Sequence, residues 1–154
     1  METAAEMAWI EQVANFFAEQ EGLPPITGRI LGWLMICEPA EQSAAEIATA
    51  IKASRASMTS NIRTLMAVGL IRRRTRAGDR TSYYRIDDDA WEAAVRRRIE
   101  GMVKFEGIAA DGLQIVGPET PRASRLHAAY GVYRWVAEVF ASRGAELPPK
   151  SASS

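Results

Sequence analysis

Residues 43–86 read SAAEIATAIKASRASMTSNIRTLMAVGLIRRRTRAGDRTSYYRI. Ser43 and Glu46 form a capping box, in which each can satisfy a free backbone N–H of the other. The box opens a short helix through about Ile51, with Ile47, Ala48 and Ile51 on its buried side. Lys52, Ala53 and Ser54 leave room only for a turn, and Ser54 is placed to cap a second helix. There Met58, Ile62, Leu65 and Met66 make one apolar stripe, and Gly69 supplies a left-handed stop. Two short helices joined so tightly predict a helix-turn-helix. Leu70 and Ile71 then open a strand, Ala77-Gly78-Asp79 is a turn signal, and residues 81–86 have strong β-propensity. The hairpin completes a winged helix.

The flanks read as helices. Thr3 and Glu6 make another capping box, and Met7, Ile10, Val13, Ala14 and Phe17 follow at helical spacing over about 3–20. Trp9 and Phe16 widen that apolar face. Gly22 ends the helix and Pro24-Pro25 block its continuation. A second helix is predicted over about 26–37, with Ile30, Leu31, Leu34 and Met35 inward, closed by Glu38-Pro39. After the hairpin, Asp87, Asp88 and Asp89 suit the positive end of a helix dipole. Trp91, Val95, Ile99, Met102 and Val103 mark that helix to roughly 110. Gly112 and Gly117-Pro118 bracket a loop, and Thr120 with Pro121 starts a last helix carrying Leu126, Tyr130, Tyr133, Ala137 and Phe140. The expected fold is mainly α with a small β-hairpin: a winged helix-turn-helix flanked by N- and C-terminal dimerisation helices. Its expected parts are N-terminal helices over 1–37, a DNA-binding lobe over 40–87, long and C-terminal helices over 88–143, and a disordered tail over 144–154.

Composition narrows the function. The 154 residues are 47% hydrophobic, enough to build a core. One cysteine and one histidine make a protein-built metal site an unexpected reading, and no cofactor is called for. Without a Gly-rich phosphate loop or a catalytic cluster, the chain is not expected to be an enzyme. Asp87, Asp88 and Asp89 read better as helix capping than as a metal site. No apolar run is long enough to span a bilayer and no signal peptide is evident, so no membrane association is expected. Net charge is zero, from 19 Lys+Arg and 19 Asp+Glu. Yet residues 52–85 hold nine positive side chains and one negative, a surplus of eight that the remainder cancels. Clustered charge sets a local field whatever the total. A plain solvated face must explain this whole segment, whereas duplex DNA explains it directly.

The second helix of the pair would enter the major groove. Its outer residues, Ser54, Arg55, Ser57, Thr59, Ser60, Asn61, Arg63 and Thr64, are small, polar or basic. Hydroxyls and backbone amides near its start can bind phosphate, while Arg and Asn can read base edges. Arg72, Arg74 and Arg76 alternate along the first wing strand and should share a face, with Arg73 opposite. Arg80, just past the turn, is placed for a narrow minor groove. Asp79 would repel phosphate, so its expected role is wing support, accepting hydrogen bonds from the turn or a nearby Arg.

With these features in order, the chain resembles the MarR family of bacterial transcriptional regulators, and within it a GbsR-like branch. The resemblance is carried by SAAEIA, the SRAS-M-TS helix start, AVGLI, the GDR-x-x-Y-Y wing and the following DDDAW, and with the flanking helices covers about 3–143. It implies a homodimer on pseudo-palindromic duplex DNA, with Asp79 as wing support and Arg80 in the minor groove. Recognition-helix roles fall by position on Ser54, Arg55, Ser57, Ser60 and Arg63. Repression is the expected action, in the bacterial cytoplasm at the nucleoid. Surplus apolar surface on the terminal helices points to the same dimer, through Trp9, Val13, Phe17, Leu126, Tyr130, Tyr133 and Phe140. A dimer would set two recognition helices roughly 34 Å apart. The resemblance further implies a small-molecule effector, for which Trp9, Phe16, Trp33, Tyr130 and Tyr133 are the pocket candidates. A winged helix serving only protein contacts is the competing reading. Cys37 reads as a buried structural thiol rather than a redox sensor, and His127 as a helix-surface residue.

Overall fold

A computed structural model describes residues 3–142, so the expected tail over 144–154 lies outside the described residues. The chain forms two compact units, one ending at Trp91 and the other beginning at Glu92.

The first unit begins with α1 (Ala4–Glu21). Its Thr3–Glu6 capping box is formed in both directions, and Gly22 ends it at φ 68°, a left-handed turn that costs glycine little. α2 (Pro25–Ile36) starts with Pro25 at its first position, where a missing N–H is no loss. α1 and α2 lie unusually close. A Cβ on Gly28 would sit 2.7 Å from the Ala14 Cα, so only glycine permits this approach. Arg29 and Glu11 pair across the same two helices. Ile10, Ile30 and Leu31 are fully buried, whereas Met35, expected inward, is 41% exposed. Met35 instead lines a shallow apolar cavity of about 270 Å³ with Gln12, Val13, Phe16, Phe17 and Trp91.

β1 (Gln42–Ser43) was not anticipated from the sequence. Two residues are too few to show alternation, and this strand exists only because β3 pairs with it. Ser43 also caps α3 (Ala44–Ala50) through the expected capping box with Glu46. Lys52 then turns the chain at φ 56°. The second helix of the pair begins later than expected. Ser54 precedes a single 3-10 turn over Arg55–Ser57, and α4 (Met58–Ala67) follows. Met58, Ile62 and Leu65 face the core as the stripe predicts.

The hairpin is β2 (Ile71–Thr75) and β3 (Ser82–Ile86). With β1 it makes a three-stranded antiparallel sheet in the order β1-β3-β2. Arg73 lies opposite Tyr84 and Arg74 opposite Tyr83. Because partners share a face, Arg72 and Arg74 fall on one side with Tyr83, and Arg73 on the other with Ile71 and Tyr84.

α5 (Ala90–Val116) runs about two turns beyond its expected end, since Gly112 lies inside it. Leu126 packs against that glycine, 3.3 Å from where a Cβ would be. A 3-10 turn at Pro121–Ala123 leads into α6 (Ser124–Ser142). In the second unit the Phe105 and Tyr133 rings pack at a tilt with centroids 4.7 Å apart, and Arg134 bridges Glu106 and Glu138. Among the described residues, no helix is long and apolar enough to cross a membrane.

Candidate nucleic-acid interface

α4 sorts its side chains by helical phase. Thr59, Ser60 and Arg63 are exposed on one face, opposite Met58, Ile62 and Leu65. Positions 59 and 60 lie four and three residues before Arg63, so all three converge on one patch. Ser54 and Arg55 add to it from the preceding turn, both exposed. Ser54 makes no side-chain capping bond. Ser57 and Thr64 are half-buried, their hydroxyls donating to the carbonyls of Ser54 at 2.8 Å and Ser60 at 3.1 Å. Asn61 leaves the exposed row. It is half-buried and takes a hydrogen bond from Thr27 at 2.6 Å, so the amide faces the protein body rather than outward.

The wing is a chain of braces. The Asp79 carboxylate accepts the Thr81 N–H at 2.8 Å and the Tyr83 hydroxyl at 2.9 Å. These bonds hold the Asp79 carboxyl below its ordinary pKa, first through the Thr81 backbone and then through Tyr83. Correspondingly, the bond to Asp79 raises the Tyr83 phenol. The Arg76 guanidinium lies 3.7 Å from the Tyr83 ring centroid and reaches Glu41 at 3.5 Å. Glu41 also takes Arg74, at 3.9 Å, and Asp87 takes Arg72 at 2.9 Å. Arg80 follows Asp79 directly. Its side chain is exposed and makes no ion pair or hydrogen bond to a described residue.

The arginines therefore form two classes. Arg72 and Arg74 share a face, as strand alternation predicts, while Arg76 lies one residue past the end of β2, over the Tyr83 ring; each of the three rests on an internal carboxylate. Such exposed pairs contribute about 0–1 kcal/mol each, little enough for a phosphate to displace. Arg55, Arg63, Arg73 and Arg80 have no such partner among the described residues. Glu41, Tyr83 and Asp87 are the site residues that sequence reasoning missed. The Tyr-Tyr pair in the wing was visible, but Glu41 reaches the wing only through the two-residue strand β1.

The remaining expected site residues divide between the units. Trp9, Val13 and Phe17 lie on α1, half-buried; Phe16, at 55%, is more exposed. Of the aromatic pocket candidates in the first unit, Phe16 lines the shallow cavity and Trp9 and Trp33 do not. Trp33 instead donates to Gln42 at 3.4 Å, anchoring β1. In the second unit Leu126, Tyr130, Tyr133 and Phe140 are half-buried. Phe140 lines a groove of about 590 Å³ with Ile99, Val103 and Ala137, rimmed by Arg96, Glu100 and Lys104. Cys37 is buried, and desolvation pushes its thiol up to about 11. A thiol this hard to ionise is a poor nucleophile at neutral pH. His127 is exposed on α6, 2.8 Å from the Pro118 carbonyl.

Comparison with known proteins gives the family. Residues 21–80 match the family model for the MarR family, and residues 89–142 that for MmpR5-like MarR family transcriptional regulators. The chain is 40% identical over 119 residues to the HTH-type transcriptional regulator MmpR5 of Mycobacterium tuberculosis (strain ATCC 25618 / H37Rv), covering 77% of this chain and 72% of that one. A crystal structure described as a transcriptional regulator superposes with a TM-score of 0.63 at 33% identity, covering 92% of this chain and 99% of the other. These relatives are transcriptional regulators, not enzymes. A winged helix with a basic, small-residue recognition face and a braced arginine wing, matched by family along both units, places this chain in the MarR family of transcriptional regulators.

Proposed function

We propose that the chain acts as a homodimeric repressor on a pseudo-palindromic operator, with α4 in the major groove and the wing in the minor groove. The observation that carries this reading is the contrast at the wing tip. Asp79 keeps its charge, but both its oxygens accept hydrogen bonds from within the wing, from Thr81 and Tyr83, while Arg80 beside it has no partner among the described residues. Thr59, Ser60 and Arg63, with Ser54 and Arg55, supply the base-edge and phosphate contacts. Arg72, Arg74 and Arg76 exchange Asp87 and Glu41 for backbone phosphates.

The homodimer is supported by apolar surface that one chain leaves open: Ile108 is 55% exposed, Ile115 83%, Val132 60% and Trp135 64%. In this reading the helices over 1–37 and 88–143 serve dimerisation and residues 40–87 serve DNA. Release by a small-molecule effector belongs to the same proposal. The GbsR-like branch would make that effector an osmoprotectant of the choline class. Calorimetric titration with choline giving no heat removes that branch while leaving the operator reading intact.

The test is selection of bound duplex from a random pool, followed by a salt titration. Affinity for the enriched duplex should fall steeply with salt, because each neutralised phosphate releases counterions. Arg80→Ala should lower affinity about tenfold and flatten preference for A·T flanks. No duplex binding at low salt would favour a winged helix that meets an acidic protein instead.

A further inference from the structure

Behind the recognition helix lies a polar connection that no DNA-facing role explains. Thr27 sits in the first turn of α2 and is 0% exposed. Its hydroxyl meets the Asn61 side-chain oxygen at 2.6 Å, and the Asn61 Nδ2 donates to the Ser57 carbonyl. Chemistry orients the whole chain of bonds. A carbonyl can only accept, so the amide nitrogen must face Ser57. The amide oxygen then faces Thr27, and Thr27 must donate. Flipping the amide would set two oxygens against each other at Ser57.

The position of this grip matters. Ser57 ends the 3-10 turn, and α4 begins at the next residue. Asn61 therefore holds the junction between the turn bearing Ser54 and Arg55 and the helix bearing Thr59, Ser60 and Arg63. On the other side, Thr27 is next to Gly28, whose backbone abuts Ala14 of α1. The junction is thus tied to the close approach of α1 and α2.

We infer that Thr27 and Asn61 are a positioning pair that fixes how the first turn of the recognition helix meets base edges, and so set sequence discrimination rather than overall DNA affinity. Neither Thr27, buried, nor Asn61, turned inward, needs to touch DNA. Attraction between arginines and phosphates is long-ranged and tolerates a small tilt of α4. Base-edge hydrogen bonds weaken steeply with angle and distance, and do not tolerate it. This inference rests on the DNA-binding reading above.

The experiment uses the full chain and two duplexes: one enriched by the wild type from a random pool, and a scrambled version of it. Affinities are read by fluorescence anisotropy at one salt concentration, well below the melting temperature. Thr27→Val keeps the shape but removes the donor. It should lose about tenfold on the enriched duplex, the scale of one misplaced base contact. Affinity for the scrambled duplex should stay within about twofold, because phosphate contacts are kept. Thr27→Ser restores the hydroxyl and should restore discrimination. Thr27→Val combined with Asn61→Leu removes both polar groups together, which relieves the unpaired oxygen. That double variant should fold and still lose discrimination, and it carries the test if Thr27→Val alone does not fold. Equal losses on both duplexes, or wild-type discrimination in the double variant, would overturn the positioning role and leave the pair a stabilising contact only. A wild type that enriches no duplex would overturn the DNA reading and this role with it.

Discussion

The two units of this chain solve the burial problem differently. In the first, Ile10, Ile30, Leu31, Ile47 and Leu65 are each 0% exposed, and four helices with a small sheet close around them. In the second, the buried apolar residues among those described are Ala109, Leu113 and Ala123, and α6 contributes no buried residue of its own. Val95, Val103, Phe105, Ile108, Ile115, Val132 and Trp135 are all exposed there. A helix must bury its apolar stripe against another element, and two helices cannot close a core around themselves. The difference teaches that the first unit closes a core of its own, while the second leaves most of its apolar surface open. The proposed second copy of the chain would cover that surface.

Mutations can break or sharpen this contrast. Leu31→Ala opens a cavity in the closed core and should cost about 2–5 kcal/mol in urea unfolding. Gly28→Ala drives a methyl into the Ala14 backbone and should cost about 1–3 kcal/mol, because α1 and α2 must separate. Ser43→Ala removes a cap at the edge of that core, and about 1 kcal/mol should be lost. Val132→Ser, on the open face of α6, should change unfolding by less than about 0.5 kcal/mol at the lowest protein concentration that fluorescence can follow. At higher concentration the same variant should lower the melting temperature, since association stabilises the folded form by mass action. If Val132→Ser costs as much as Leu31→Ala in dilute solution, the second unit has a closed core and the contrast is wrong.

The wing shows how far reading the sequence could go. Strand alternation placed Arg72 and Arg74 on one face, because that face depends only on a residue's position in its own strand. It could not show that Glu41 and Asp87 already hold them. Glu41 comes to the wing through β1, whose two residues carry no pattern of their own. Asn61 is the sharper case. Helical spacing alone put it among the outward polar residues of the recognition helix, yet its partner Thr27 lies 34 residues earlier. Met35 failed for a related reason: its spacing matched the inward residues of α2, but it lines an open cavity beside Val13, Phe16 and Phe17 instead of a closed contact.

The order of elements, both capping boxes, the stop at Gly22, the buried stripe of α4 and the basic surplus over 52–85 were all readable from the chain. Each arises from neighbours a few residues apart, where propensity and periodicity act directly. The third strand, the pairing of three wing arginines, the inward turn of Asn61 and the exposed face of α6 were not. Each depends on contacts made, or left unmade, between segments far apart in the chain, and those distances exist only once the helices and strands of each unit have packed together.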